Sequence, residues 1–398
     1  MHRRLRIVVS GLAASYPVAG MFWHYMQYVA GLSRLGHELL YVEDTERWCY
    51  DTAERTFVER GEASAAHLSQ NIRRVAPEAL WFFRDAAGQT FGVPWRRVTE
   101  FIRDADLVLN ISGFCSRDEY FHARRLAYID TDPMFAQASV PEFIAGTVDD
   151  KNRTRMEKML QHDVFFTFAE NIGATDCLVP NQLFEWCPTR QPIVRELFDP
   201  FVRPVAARRR VVTTVGSWGS ATETGLRVAG VHYGGKKAEF QKFFTLPAKS
   251  PLPLELSIGD PESVEALKEH GWLIRDNHES SSSPWVYCHY LADSWAEWSP
   301  AKNAYVASNS GWFSERSACY LALGVPVVVQ DTGFSRYIET GEGVIAFTSI
   351  EEAIDGLQRI SGNPERHARA ALGVVTEYFD YTKVLSHLLE RSFSASET

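Results

Sequence analysis

The sequence predicts an α/β protein built from two doubly wound domains that face one another across a cleft. Three observations carry that prediction. At 398 residues the chain is longer than one hydrophobic core usually grows. Short β-branched runs ending in polar or glycine turns alternate with helical stretches, the pattern of a parallel sheet with helices on both faces. That pattern breaks off near residue 200 in a proline-punctuated basic stretch, and then begins afresh.

The first half opens with the strand "RIVVSG", a loop to Gly20, and "MFWHYMQYVAGLSRL", whose apolar residues recur at helical spacing. Gly36 closes that helix and "HELLYVED" supplies the next strand. Further strands read at "DLVLNIS", "RLAYID" and "DVFFTFA". The aromatic stretches "APEALWFFRD" and "MFWHYMQY" read mostly as core, with a sugar or aglycone as a second use for their rings. "CPTRQPIVRELFDPFVRPVAARRR" lacks periodicity and reads as an interdomain connection. After it come the strand "RVVTTVGSWGS", the strand "PLELSIGD", a helix "PESVEALKEHG", and the strands "GVPVVVQDTG" and "GVIAFTS". "SSSS" at 280 to 283 reads as a surface loop, and "ARAALGVVTEYFDYTKVLSHLLERS" as one long amphipathic helix. The expected units are 1–200, 201–372, and a helical tail, 373–398, packed back across both.

The apolar share of 45% and the charged share of 23% are those of an ordinary globular protein. A formal charge of -9 argues against a nucleic-acid groove or an anionic membrane surface as the main partner, so no nucleic acid is expected. A local basic pocket for phosphate is compatible with that total. The six cysteines form no CxxC pair, which suits reduced thiols in the cytoplasm rather than a zinc site or a disulfide framework. The amino terminus has a basic head and an apolar run like a signal peptide. However, Ser10-Gly11 and Tyr16-Pro17 interrupt that run, which suits a strand and loop better. No segment reaches the ~20 continuous apolar residues of a membrane span.

In open parallel sheets ligands bind beyond the carboxyl ends of strands, so candidate residues are sought in the turns there. "SGWFSERSACYLALGVPVVVQDTGF" is the most informative stretch. Ser314 is the expected N-cap, with Glu315, Arg316 and Ser317 in the first helical turn, and Gly324 and Pro326 stop the helix. Exposed N–H groups at that end, with Arg316 and the Ser317 hydroxyl, suit a diphosphate. An ordinary capped helix with a solvated arginine is the alternative.

"SERSACYLALGVPVVVQDTGFSRYIETGEGVIAFTSIEEAIDGL" resembles the donor-binding segment of glycosyltransferases with the two-domain, Rossmann-like GT-B fold. "AGMFWHYMQYVAGLSRLGHELLYV" resembles that fold's amino-terminal glycine turn, first helix and second strand. "HDVFFTFAENIG" and "PTRQP" are similar to runs in a group of uncharacterised bacterial glycosyltransferase-like proteins. The resemblance implies a nucleotide-sugar donor as co-substrate, a hexosyltransferase-like activity, an unknown acceptor and no metal or other cofactor. It implies donor-binding roles for the Ser314–Ser317 turn, for Asp331, Thr332 and Gly333, and for Ser217 and Lys236, with Lys237 as the alternative to Lys236. The sequence also departs from the pattern. Two glutamates usual in retaining members correspond to Gly311 and Cys319, and Ser217 replaces a usual arginine.

Three further turns supply candidates. Asp130 and Asp132 form a DxD in "YIDTDP", a pattern that binds a divalent metal in a different transferase fold; no metal is expected here. Asp130 is a candidate general base, and Asp132 before Pro133 is equally a good N-cap. His24, near the Gly20 turn, is the competing base, or else a packing histidine among Phe22, Trp23, Tyr25 and Tyr28. Glu170 in "FAENIG" is a candidate cleft residue beside Asn171, a possible helix cap. A nucleotide-sugar epimerase and a catalytically impaired nucleotide-sugar binding protein are the competing functions. A nicotinamide dehydrogenase lacks its GxGxxG, although Glu43 and Asp44 mimic a ribose-binding acid.

Overall fold

A computed structural model describes residues 3–217, 225–259 and 264–394. The first sheet contains β1 (Arg6–Ser10), β2 (Glu38–Asp44), β5 (Leu80–Arg84), β6 (Thr90–Gly92), β7 (Leu107–Ile111), β8 (Leu126–Asp130), β9 (Val164–Thr167) and β10 (Trp186–Pro188). Its order is β10-β9-β8-β7-β1-β2-β5-β6, parallel except for the β5–β6 pair at one edge. A small hairpin, β3 (Cys49–Asp51) with β4 (Thr56–Val58), follows β2. The second sheet contains β11 (Val212–Ser217), β14 (Leu254–Gly259), β15 (Leu273–Asp276), β16 (Ala296–Ser299), β17 (Val327–Gln330) and β18 (Val344–Phe347), ordered β15-β14-β11-β16-β17-β18 and parallel throughout. The hairpin of β12 (Leu226–Val228) and β13 (Val231–Tyr233) precedes a short helix, Lys236–Phe240.

The strands legible in the sequence are those buried on both faces. All five residues of β7, all five of β8 and all four of β17 are buried, which is why they read as continuous apolar runs. In both sheets β1 and β11 lie centrally with the order reversing beside them, so each sheet has a crevice at its carboxyl edge. These crevices face each other.

One apolar core runs through both halves: Phe22, Trp23 and Met26 of the helix Ala19–Arg34 join Tyr287, Tyr320 and Leu321 of the second half. The tail returns to the first half, where a Cβ on Gly31 would lie 2.5 Å from Leu385 Cδ1. This tail is not one helix. Helix Pro364–Val374 passes through a π turn, Val375–Phe379, and breaks at Asp380 before helix Tyr381–Ser394. The break has a cause in the connecting segment: Ile193 N donates to Phe379 O at 2.7 Å and Tyr381 N donates to Ile193 O at 3.2 Å, drawing that backbone out of the helix. The serine run is likewise no loop. It ends helix Asn277–Ser281 and supplies Ser283 as the N-cap of helix Pro284–Ala292. None of the six cysteines is paired. Among the described residues no helix is long and apolar enough to cross a membrane.

Candidate functional site

The helix Glu315–Ala322 starts at the cleft. Ser314 caps it, accepting from Arg316 N at 3.3 Å, and Gly324, at φ 69°, ends it. Arg208 closes the far end, donating to Gly324 O at 2.9 Å. Arg316 is not solvated. Its Nε donates to Glu297 Oε1 at 2.7 Å and its Nη2 donates to Ser299 Oγ, both acceptors belonging to β16. Burial opposes the guanidinium charge, but the fully buried Glu297 outweighs it and holds the Arg316 pKa above its usual value. Two buried polar atoms here, Ser317 Oγ and Glu297 Oε2, have no hydrogen-bond partner among the described residues. Leaving such atoms unsatisfied costs roughly 1–3 kcal/mol each, a cost that a polar ligand removes.

Lys236 opens the helix Lys236–Phe240, and a Cβ built on Gly216 near the end of β11 would lie 3.6 Å from its Nζ. That helix is anchored through buried Glu239, which accepts from Asn303 Nδ2 at 2.6 Å and Gln330 Nε2 at 2.7 Å. Burial, with the charges of Arg316 and Lys302, pushes the Lys236 ammonium down to about 7. Ser217 ends β11 opposite Gly259, and its side chain lies outside the described structure.

The turn after β17 is committed to its own geometry. Asp331 Oδ1 accepts from Gly333 N at 2.8 Å and Oδ2 from Ser335 Oγ at 2.6 Å, while Thr332 Oγ1 donates to Trp312 O at 2.6 Å. Gly333 sits at φ 96°, where a Cβ would meet Asn309 Oδ1 at 2.4 Å. Gly311 is equally constrained: at φ 82°, its Cβ would lie 2.5 Å from Asn171 N of the first half. A carboxylate-bearing residue has no room there in this closed arrangement. Cys319 is buried, and burial pushes its thiol well up.

On the first half's side, His24 is buried and its Nδ1 lies 2.7 Å from Gln191 Oε1. Gln191 Nε2 donates to His24 O at 3.0 Å and Pro192 O at 3.3 Å, which fixes the amide with its oxygen toward the ring. Nδ1 therefore carries a proton and donates to Gln191, which leaves Nε2 as the basic nitrogen of a neutral ring. His24 and Gly20 line a cavity of about 10 Å³ together with Gln191, Glu315 and Arg316, one of the places where the two halves meet.

The two aspartates diverge. Asp130 accepts from Gln137 Nε2 and Thr167 Oγ1, both at 2.7 Å, and from Asp132 N at 3.1 Å; burial pushes its carboxyl up to about 6. Asp132 caps no helix: residues 133–139 form turns and the next helix begins at Val140. Its carboxylate instead crosses the cleft, accepting from Lys302 Nζ at 2.6 Å and from Tyr305 Oη. Burial works against that charge, but Lys302 and Tyr305 prevail and hold the pKa below the usual value. Glu170 pairs with Arg190 through both oxygens, and burial still leaves its carboxyl raised. Asn171 caps no helix; its Nδ2 donates across the cleft to Asn309 O at 2.8 Å. Among the described residues no group of three or more His, Cys, Asp or Glu side chains is disposed to hold a metal ion.

Sequence reasoning missed Gln191, Glu297, Lys302 and Tyr305. "PTRQP" contained Gln191, and Glu297 is a charge inside a buried strand, a signal that was available. Lys302 and Tyr305 lie 170 and 173 residues from their partner Asp132, a separation no local pattern reveals.

No family model and no curated protein sequence matches the chain. Solved structures do. An alpha-glucosyltransferase in complex with UDP and a 13-mer DNA matches at a TM-score of 0.59 and 11% identity, over 98% of this chain and 99% of that one. AviGT4, a glycosyltransferase involved in avilamycin A biosynthesis, matches at 0.56 and 12%, over 99% of both chains. Anabaena Alr3699/HepE in complex with UDP-glucose matches at 0.54 and 13%, over 98% and 100%. At such identities the likeness establishes the fold: two Rossmann-like domains of the GT-B type. The same comparison corrects one expectation. Alpha-glucosyltransferases of this fold are seen with DNA bound, so the exclusion of nucleic acid drawn from the chain's net charge does not stand.

Proposed function

We propose that a protein with this GT-B fold is a nucleotide-sugar-dependent glycosyltransferase, moving a sugar from a nucleoside-diphosphate donor to an acceptor hydroxyl or amine. The observation that carries the reading is the junction of Lys236 and Arg316 with an orphaned buried hydroxyl, Ser317 Oγ, at a helix start beyond β11 and β16. Cationic side chains and helix N–H groups at one point suit a diphosphate. Related folds carrying UDP or UDP-glucose support the donor class.

In this reading Lys236, Arg316 and Ser317 hold the diphosphate and stabilise the leaving group's charge as the glycosidic bond to it breaks. His24 Nε2 takes the proton of the attacking acceptor, with Gln191 holding the tautomer. Asp130 is a positioning group, because three donors already occupy its carboxylate. Asp132 with Lys302 and Tyr305 holds the halves together and keeps water out. No step is assigned to a metal ion, and the protein is placed in the cytoplasm with its reduced thiols.

A thermal-shift titration of wild type and Lys236→Ala with UDP, GDP, TDP, ADP and CDP, with and without magnesium, tests this. One nucleotide is expected to stabilise wild type saturably, by about 2.7 kcal/mol at a hundredfold excess over Kd, and the variant much less. No shift with any nucleotide would remove the diphosphate site. Turnover of the donor only in the presence of an acceptor then separates transfer from epimerisation and from binding alone.

A further inference from the structure

A cavity of about 490 Å³ in the first half lies beyond the carboxyl ends of β7 and β8, outside the donor site described above. Its floor is polar and fixed. Asn110 donates to Cys115 O and to His162 Nε2, each at 3.0 Å, while Ser112 Oγ and Thr131 Oγ1 share a hydrogen bond of 2.7 Å. Phe114, Tyr128 and Phe135 supply flat apolar walls. The volume is that of an ordinary small-molecule pocket.

The rim is cationic. Arg47, Lys151, Arg155 and Lys158 line the cavity, against two carboxylates, Asp130 and Asp132. Those two are already committed: Asp130 to three donors, Asp132 to Lys302 and Tyr305. Lys158 pairs with Asp118, and Arg155 Nη2 donates to Phe135 O and Ala136 O at 2.9 and 2.6 Å. Arg47 stacks over Phe114 at 5.0 Å, and neither it nor Lys151 forms an ion pair among the described residues. Three of the four cations, Arg47, Lys151 and Arg155, thus have no carboxylate partner among the described residues and line one pocket from its exposed rim.

The cavity also adjoins the transfer centre. Thr131 and Asp132 line it, Thr131 O accepts from Trp312 Nε1 at 3.1 Å, and Asp132 holds Lys302, whose charge reaches Lys236.

We propose that this cavity is the acceptor site and that the acceptor is a small molecule bearing a phosphate or carboxylate, held against Arg47, Lys151 and Arg155, with its reacting hydroxyl toward Asp132 and the cleft. The proposal rests on the transferase reading for its role as acceptor site, but not for its charge preference. Convergence of three cations on one pocket of about 490 Å³ favours a small anion over an extended polyanion, which needs cations spread along a face.

The test is calorimetric titration of the full-length protein with glucose 6-phosphate, glucuronate and glucose, with and without saturating UDP, at low and moderate salt. Either anionic sugar is expected to bind at least about tenfold more tightly than glucose, with an advantage that shrinks as salt rises. Which anionic sugar leads identifies phosphate or carboxylate as the recognised group. The double variant Arg47→Ala/Lys151→Ala, at exposed positions, should lose the advantage while keeping its melting temperature and its UDP affinity. Glucose binding as tightly as the anionic sugars, no binding of any of the three, or an unchanged preference in the double variant would overturn the proposal. So would a 13-mer DNA duplex that displaces the sugars and loses its affinity in the same variant. Absence of any charge preference in the wild type, with UDP binding intact, sinks the acceptor proposal alone. Charge preference without any nucleotide binding sinks the transferase reading and leaves an anion pocket.

Discussion

Lys236 offers the sharpest test of the donor site, because its protonation is set by its surroundings. Burial and the charges of Arg316 and Lys302 place its pKa at about 7, so near neutral pH roughly half the molecules carry a neutral amine there. A diphosphate beside the amine restores the charged form and returns the pKa toward ~10. The sign follows: the ligand prefers the protonated protein, so affinity falls as pH rises through the free protein's pKa. UDP binding should take up about half a proton at pH 7 and ~0.9 at pH 8. The affinity should weaken about fiftyfold from pH 7 to pH 9, or ~2.3 kcal/mol. Above pH 7 the terminal phosphate of UDP contributes little, since its own titration lies near pH ~6. Calorimetry in buffers of different ionisation enthalpy measures the proton uptake directly. Lys236→Arg, charged at every pH used, should show neither uptake nor slope. Wild type binding UDP with no proton uptake, or Lys236→Arg keeping the wild-type slope, would refute the reasoning.

Three other outcomes follow from the geometry. Arg316→Ala strands the buried Glu297 carboxylate and should cost about 3–5 kcal/mol in urea denaturation, most of it recovered in Arg316→Met/Glu297→Met; equal stability of the two variants would show that the pair is not the cause. His24→Ala should lower transfer about 10²–10⁴-fold while UDP affinity stays within about twofold, and Gln191→Leu should do the same more weakly with a displaced pH profile; retention of full turnover in His24→Ala would remove His24 as base. Gly311→Ala forces a side chain into a left-handed backbone and against Asn171 N, so about 1–2 kcal/mol of stability should be lost and the radius of gyration in X-ray scattering should rise as the halves part; an unchanged scattering curve would mean that the clash is absorbed locally.

How much of this was legible in the sequence depended on whether the information was local. β7, β8 and β17 announced themselves because both their faces are buried, and the helix at Ser314 because its cap, Gly324 and Pro326 lie within one stretch. The break at Asp380 was not legible. "VVTEYFDYTKVL" keeps helical periodicity, and the hydrogen bonds that open it come from Ile193. The roles of the acids were hidden for the same reason. Asp132 read as a cap because Pro133 follows it, whereas its partners come from the other half of the chain.

The inference from net charge failed by reducing a local question to a label, whereas Gly311 gains from the structure a local reason that its sequence lacked. At Gly311 the resemblance implies a departure from the usual glutamate, and the position carries no carboxylate. In the folded protein the position is filled from outside, by Asn171 N, whose bond of 3.0 Å to Ser310 O joins the halves. Glycine there admits this contact between the halves, which also meet where His24 and Arg316 line one small cavity. Net charge errs by averaging. At physiological salt a charge acts over about 8 Å, so a total of -9 spread over the chain says little about a cavity rimmed by Arg47, Lys151 and Arg155. Whatever binds there responds to those three cations, not to the total. The affinity of the Arg47→Ala/Lys151→Ala variant for anions therefore bears on acceptor chemistry in a way that no whole-chain charge can.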